Sequence, residues 1–68
     1  MSYLAVDRNG TENIFSYQPF RNHNRIWDTE HDYVVLPKGS IEKLIGKKLT
    51  WENEPVEINN ENIKTKKG

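Results

Sequence analysis

The stretch Asp7-Arg8-Asn9-Gly10-Thr11 constrains the fold more than any other part of the chain. Asn followed by Gly supplies residues that tolerate positive φ, and it separates two runs that read as strands. The run before it, Ser2–Asp7 (SYLAVD), is aromatic and aliphatic with no breaker; the run after it, Thr11–Tyr17 (TENIFSY), is the return strand. Two registers compete. A two-residue Asn9-Gly10 turn pairs Arg8 with Thr11 and sets Leu4 against Phe15. A three-residue loop with Gly10 as a bulge pairs Asp7 with Thr11 and sets Leu4 against Ile14. The second is preferred, because Asp opening a type I turn with Gly closing it is a favoured arrangement. It also gathers Leu4, Val6 and Ile14 on one face, where a core can form.

The rest of the chain adds one strand, one helix and an edge. His31–Pro37 (HDYVVLP) reads as a central strand, stopped by Pro37, which has no N–H for a ladder. Ser40 is a suitable helix N-cap. Ile41, Leu44 and Ile45 then form one apolar stripe, and Gly46 suits the left-handed residue that ends a helix. About two turns of helix are expected, stable only when packed. Lys47–Trp51 resumes extended structure, and Trp51, two residues beyond Leu49, falls in the core or at its edge. Glu54–Ile58 (EPVEI) reads as a short edge strand. Between Gln18 and Thr29 the pattern fades into a long loop or an irregular edge excursion, which leaves room for a short strand around Ile26–Trp27. The expectation is a small α+β fold, an antiparallel sheet of three to five strands with one short α-helix. Residues 1–58 make the domain and 59–68 a disordered polar tail.

Composition narrows the function classes. With 68 residues, the chain buries only about 60% of its unfolded surface. It carries seven aromatics and no cysteine, which favours a reducing compartment over a disulfide-stapled secreted fold. No stretch resembles a signal peptide or a membrane span. The formal net charge of zero argues against a generic nucleic-acid binder. The charge is patchy, however: acid gathers in Asp28–Asp32 and at Glu52, Glu54 and Glu57. Base gathers at Arg21 and Arg25, between Lys38 and Lys48, and near the C-terminus. Such bipolar surfaces suit protein docking.

Catalytic and ligand motifs fail on spacing. Gly39–Lys48 has six residues between its glycines where a phosphate loop has four, and the helix lies between them. Leu49 stands where the second glycine of a KH clamp belongs. Free amides near Gly39–Glu42, beside Lys38, leave an anion site as a secondary reading. His23 and His31 with Asp28, Glu30 and Asp32 lack a rigid ligand spacing, so neither a metal site nor a cofactor is expected. No nucleophile–base set is discernible, and no enzyme is expected. The segment Tyr17–Trp27 (YQPFRNHNRIW) is the informative one: aromatic and basic residues of the kinds enriched in binding hot spots stand in a polar context. Phe20, Arg21, His23, Arg25 and Trp27, together with Lys47 and Lys48, are the candidate partner-binding residues, although Phe20 and Trp27 can equally fold inward as the segment's own core, a reading preferred for Trp27.

Tyr3–Phe15 (YLAVDRNGTENIF) and Leu36–Ile58 (LPKGSIEKLIGKKLTWENEPVEI) together resemble a group of short bacteriophage and prophage proteins. That group shares a YLAVD-x-x-G-x-E-x-IF opening and an LPKGSI-x-KLIG-x-x-LTW-x-x-EPVEL close. The resemblance carries no functional residue across. It implies a setting, the bacterial host cytoplasm. It also implies, by analogy of class, stoichiometric binding to a host protein or ribonucleoprotein complex, as inhibitors of CRISPR nucleases do. The alternative is a small module binding single-stranded RNA or DNA through Arg21, Arg25, Lys47 and Lys48. A third reading, a nuclease using a metal at His23, would need ligands the spacing does not provide.

Overall fold

The computed structural model describes residues 1–58; the segment 59–68, expected as a tail, lies outside the described residues. The elements in order are β1 (Ser2–Val6), β2 (Glu12–Phe15), β3 (Phe20–Arg21), β4 (Trp27–Asp28), β5 (Tyr33–Leu36), α1 (Ser40–Ile45) and β6 (Val56–Ile58). Four strands form an antiparallel sheet in the order β5-β2-β1-β6, and β3 pairs with β4 in a separate two-stranded ribbon. The expected α+β class is the observed one.

The β1–β2 connection is the three-residue bulged loop. Asp7 N–H donates to Thr11 O at 2.9 Å and Gly10 N–H to Asp7 O at 2.8 Å, with Gly10 at φ 93°. Leu4 therefore faces Ile14, and Tyr3 faces Phe15. The alternation of side chains gives the sheet two apolar faces, and each is covered over its β1–β2 centre. On one face Leu4, Val6 and Ile58 pack with Ile41 of the helix, flanked by Ile14, Leu36, Leu44, Ile45, Leu49 and Val56. On the other, Ala5 and Phe15 pack with Trp27, flanked by Tyr3 and Trp51. Burying a side chain of this size contributes about 1.5–3 kcal/mol, so a chain this short gains by using both faces.

Three local expectations change. The Tyr33–Leu36 strand is an edge, not the centre. Among the described residues it pairs with β2 alone, and Tyr33, Val34 and Val35 are 55%, 60% and 57% exposed. Ser40 does not cap the helix by accepting from its amides; its hydroxyl donates to Pro37 O at 2.6 Å. The capping group is Glu12, from β2. Its carboxylate accepts from Gly39 N–H at 2.8 Å and Ile41 N–H at 2.9 Å. These amides, the secondary anion site of the sequence reading, are thus occupied by the chain's own carboxylate. Finally, Gln18–Thr29 is more ordered than a loop: beyond a short strand at Trp27–Asp28 it pairs Phe20–Arg21 with that strand as the β3–β4 ribbon, and it supplies Trp27 to the core. The C-terminal end of the helix is as expected, with Gly46 at φ 80° donating its N–H to Glu42 O at 2.8 Å. Lys47–Thr50 joins no sheet.

Candidate partner-binding surface

The ribbon is held to the sheet by Trp27. Its side chain is 6% exposed, its indole Nε1–H donates to Val6 O at 3.0 Å, and its backbone N–H donates to the Asp7 carboxylate at 2.8 Å. The carbonyl of Val6 needs this partner. The β1–β6 register ends at Leu4↔Val56, so β6 stops short of the carbonyls near the end of β1. A buried carbonyl left without a donor costs about 1–3 kcal/mol.

Arg21 closes the other side. Its guanidinium carbon sits 4.6 Å from the Trp27 ring centroid and 5.2 Å from that of Trp51, and the two indoles are 5.5 Å apart. One guanidinium nitrogen donates to Trp51 O at 2.9 Å, and another to Glu54 Oε2 at 3.2 Å. Arg21 thus ties the ribbon to the 51–54 turn through π-faces and a backbone carbonyl. It belongs to the fold as much as to any surface, and it is not a free cation awaiting a ligand.

Beyond this clamp the chain turns at Asn22–Ile26. Asn22 N–H donates to Ile26 O at 3.1 Å and Arg25 N–H donates to Asn22 O at 3.0 Å. Asn22 Oδ1 accepts from Asn24 N–H at 2.8 Å, and Asn22 Nδ2 donates to Asp28 Oδ2 at 2.9 Å. The backbone pattern repeats that of Asp7, Gly10 and Thr11, with Arg25 in the place of Gly10. Arg25 has φ 63° and is the non-glycine residue with positive φ among those described. A non-glycine residue in this conformation costs about 1–2 kcal/mol. Arg25 O accepts from Arg8 N–H at 3.2 Å, which docks the second turn against the first.

The turn presents His23, Asn24 and Arg25 to solvent, with Ile26 also exposed. Phe20 is 51% exposed at the ribbon's base. Of the seven candidate residues, then, Phe20, His23 and Arg25 share one exposed ribbon, while Arg21 and Trp27 support it. Lys47 and Lys48 do not join them. They follow the helix, which packs on the opposite face of the sheet, and Lys48 lines a groove there with Lys38, Glu12 and Gly39. Two exposed features escaped the sequence reading. Tyr17 and His31 lie with ring centroids 4.1 Å apart, and Tyr33 stacks on Phe15 at 5.5 Å while remaining more than half exposed. Both flank the β2–β5 edge. The uninterrupted apolar run of β5 is the one signal for Tyr33, but such a run reads equally well as a buried strand.

Among the described residues no group of three or more His, Cys, Asp or Glu gathers as a metal site, and no helix is long and apolar enough to cross a membrane. Compared with known protein families, characterised proteins and solved structures, the chain finds no match.

Proposed function

We propose that this chain is a binding protein that acts by stoichiometric docking of the β3–β4 ribbon, with the Asn22–Ile26 turn as the contact. The observation that carries the reading is Arg25. Its backbone takes a conformation that glycine adopts without strain, in a turn whose twin uses glycine. Strain retained at an exposed arginine is a mark of function rather than of folding. Arg is also among the residues most enriched where binding energy concentrates. The clamp below it favours the same reading. Trp27, Arg21 and Trp51 hold the ribbon in one position, which lowers the ordering cost of binding.

The partner we propose is a host protein or ribonucleoprotein complex in the bacterial cytoplasm. The docking would be inhibitory, in the manner of an anti-CRISPR protein acting on an RNA-guided nuclease. This rests on the resemblance of Tyr3–Phe15 and Leu36–Ile58 to short phage proteins. The competing module for single-stranded nucleic acid would use Arg21, Arg25, Lys47 and Lys48 as one basic surface. Their division between the two faces of the sheet, and the engagement of Arg21 with Glu54, favour the protein partner.

The test is affinity capture from host lysate with the wild-type chain and the Arg25→Gly variant side by side, with quantitative mass spectrometry. The reading expects a protein complex captured by the first and depleted at least tenfold with the second. Tight binding of bare RNA or DNA, falling steeply with salt and insensitive to Arg25→Gly, would favour the nucleic-acid module instead.

A further inference from the structure

We infer that the β5 edge is a self-association site, at which two copies of this chain pair β5 with β5 antiparallel and join their sheets into one.

The two edges of the sheet are unequally protected. An edge strand offers unpaired N–H and C=O groups to any other chain, and folded proteins blunt such edges with proline and charge. The β6 edge is blunted by Pro55 just before it and by Glu57 within it. The β5 edge is Tyr-Val-Val-Leu, with no charge inside the strand; Asp32 and Pro37 stand only at its two ends, and three of its four side chains are more than half exposed.

The hydrogen-bond phase of the ladder says which groups are free. Ser16 N–H donates to Asp32 O at 3.2 Å, in line with the pairs Ile14↔Val34 and Glu12↔Leu36. Asp32, Val34 and Leu36 therefore direct their backbone groups to β2, and Tyr33 and Val35 direct theirs outward. A second copy related by a two-fold axis through Val34 meets this pattern. Tyr33 of each copy exchanges both backbone bonds with Val35 of the other, and the two Val34 side chains face each other across the axis. Tyr33 and Val35, which share the opposite face, become cross-strand neighbours between copies. An interface of this kind is isologous, the commonest arrangement of paired identical chains.

Charge selects the same partner and the same direction. The strand is preceded by Asp28, Glu30 and Asp32 and followed by Lys38. Antiparallel pairing about Val34 brings the acidic stretch that precedes β5 in each copy to the end of the strand where Lys38 of the other lies. A parallel arrangement would set acid beside acid.

The test is sedimentation equilibrium of the full chain over a wide concentration range. The wild type is expected to pass from monomer to dimer. Val35→Pro removes an outward N–H that no bond among the described residues uses, so it should raise the dissociation constant at least tenfold while far-UV circular dichroism keeps its wild-type form. Glu30→Lys should also weaken the dimer, and adding Lys38→Glu to it should restore the wild-type constant. A wild type that stays monomeric at the highest attainable concentration overturns the inference, as does a folded Val35→Pro chain that dimerises like the wild type. If Val35→Pro unfolds, the charge-exchanged pair decides, and its failure to restore the dimer overturns the inference equally.

Discussion

Gly10 and Arg25 hold the same place in two hairpin turns built to one plan. Each donates its N–H to the carbonyl three residues earlier, Gly10 at 2.8 Å and Arg25 at 3.0 Å, and each has positive φ, 93° and 63°. The two turns are joined by the bond from Arg8 N–H to Arg25 O. In the first turn the residue is what the backbone asks for. In the second it is a long cation whose side chain reaches solvent.

The clamp predicts that Arg21 is a stability residue. Arg21→Ala removes stacking on two indoles and the bond to Trp51 O, and should lower unfolding free energy by about 1–2 kcal/mol. The ion pair with Glu54 is exposed at both ends and contributes little of this, so Glu54→Gln should cost no more than about 0.5 kcal/mol. Urea unfolding followed by tryptophan fluorescence separates the two. Equal losses for both variants would mean that the ion pair, not the stacking, holds the ribbon.

Trp27 makes a polar bond as well as an apolar contact. Trp27→Phe keeps most of the packing on Ala5 and Phe15 but leaves Val6 O without its donor. The expected loss is about 1–3 kcal/mol beyond the smaller ring's packing. Amide exchange should quicken at the Asp7–Thr11 turn and in the ribbon before it does in β2. Uniform acceleration across the sheet would show that Trp27 acts through the core alone.

Glu12 ties a strand to the helix that follows 27 residues later. Glu12→Ala should cost about 1–2 kcal/mol, in the range of losing a helix N-cap, and the helix should fray first at Gly39–Ile41. Ser40→Ala, which removes only a hydroxyl donating to Pro37 O, should cost less. Chemical unfolding of both variants checks the order. A larger effect at Ser40 would return the cap to the serine.

What was legible in the sequence was local. Asp7, Asn9 and Gly10 specify their turn within five residues, and the register of β1 on β2 follows from it. The apolar stripe of Ile41, Leu44 and Ile45, ended by Gly46, specifies its helix in the same way. The second hairpin leaves little trace in the sequence, because Arg25 stands where a glycine would announce a turn and its strands are two residues each. The Glu12 cap depends on a contact between residues far apart in the chain. Its one local sign was a carboxylate on the same side of β2 as Ile14, facing the core. The exposure of β5 depends on which strand ends up beside it, and an apolar run of four residues does not encode that. For the site, residue types pointed to the right segment. They favoured a core place for Trp27 but did not separate the exposed contacts, Phe20, His23 and Arg25, from the support Arg21.

The central claim is that the Asn22–Ile26 turn serves binding at some expense to folding. The most direct measurement is the pair of thermal stability and partner binding on Arg25→Gly. Relief of backbone strain, set against the greater unfolded-state freedom of glycine, leaves a gain of roughly 0.5–1 kcal/mol. The account predicts an unfolding midpoint at or above that of the wild type, together with at least a tenfold loss of partner binding. A variant that is less stable, or one that binds its partner as tightly as the wild type, would contradict it.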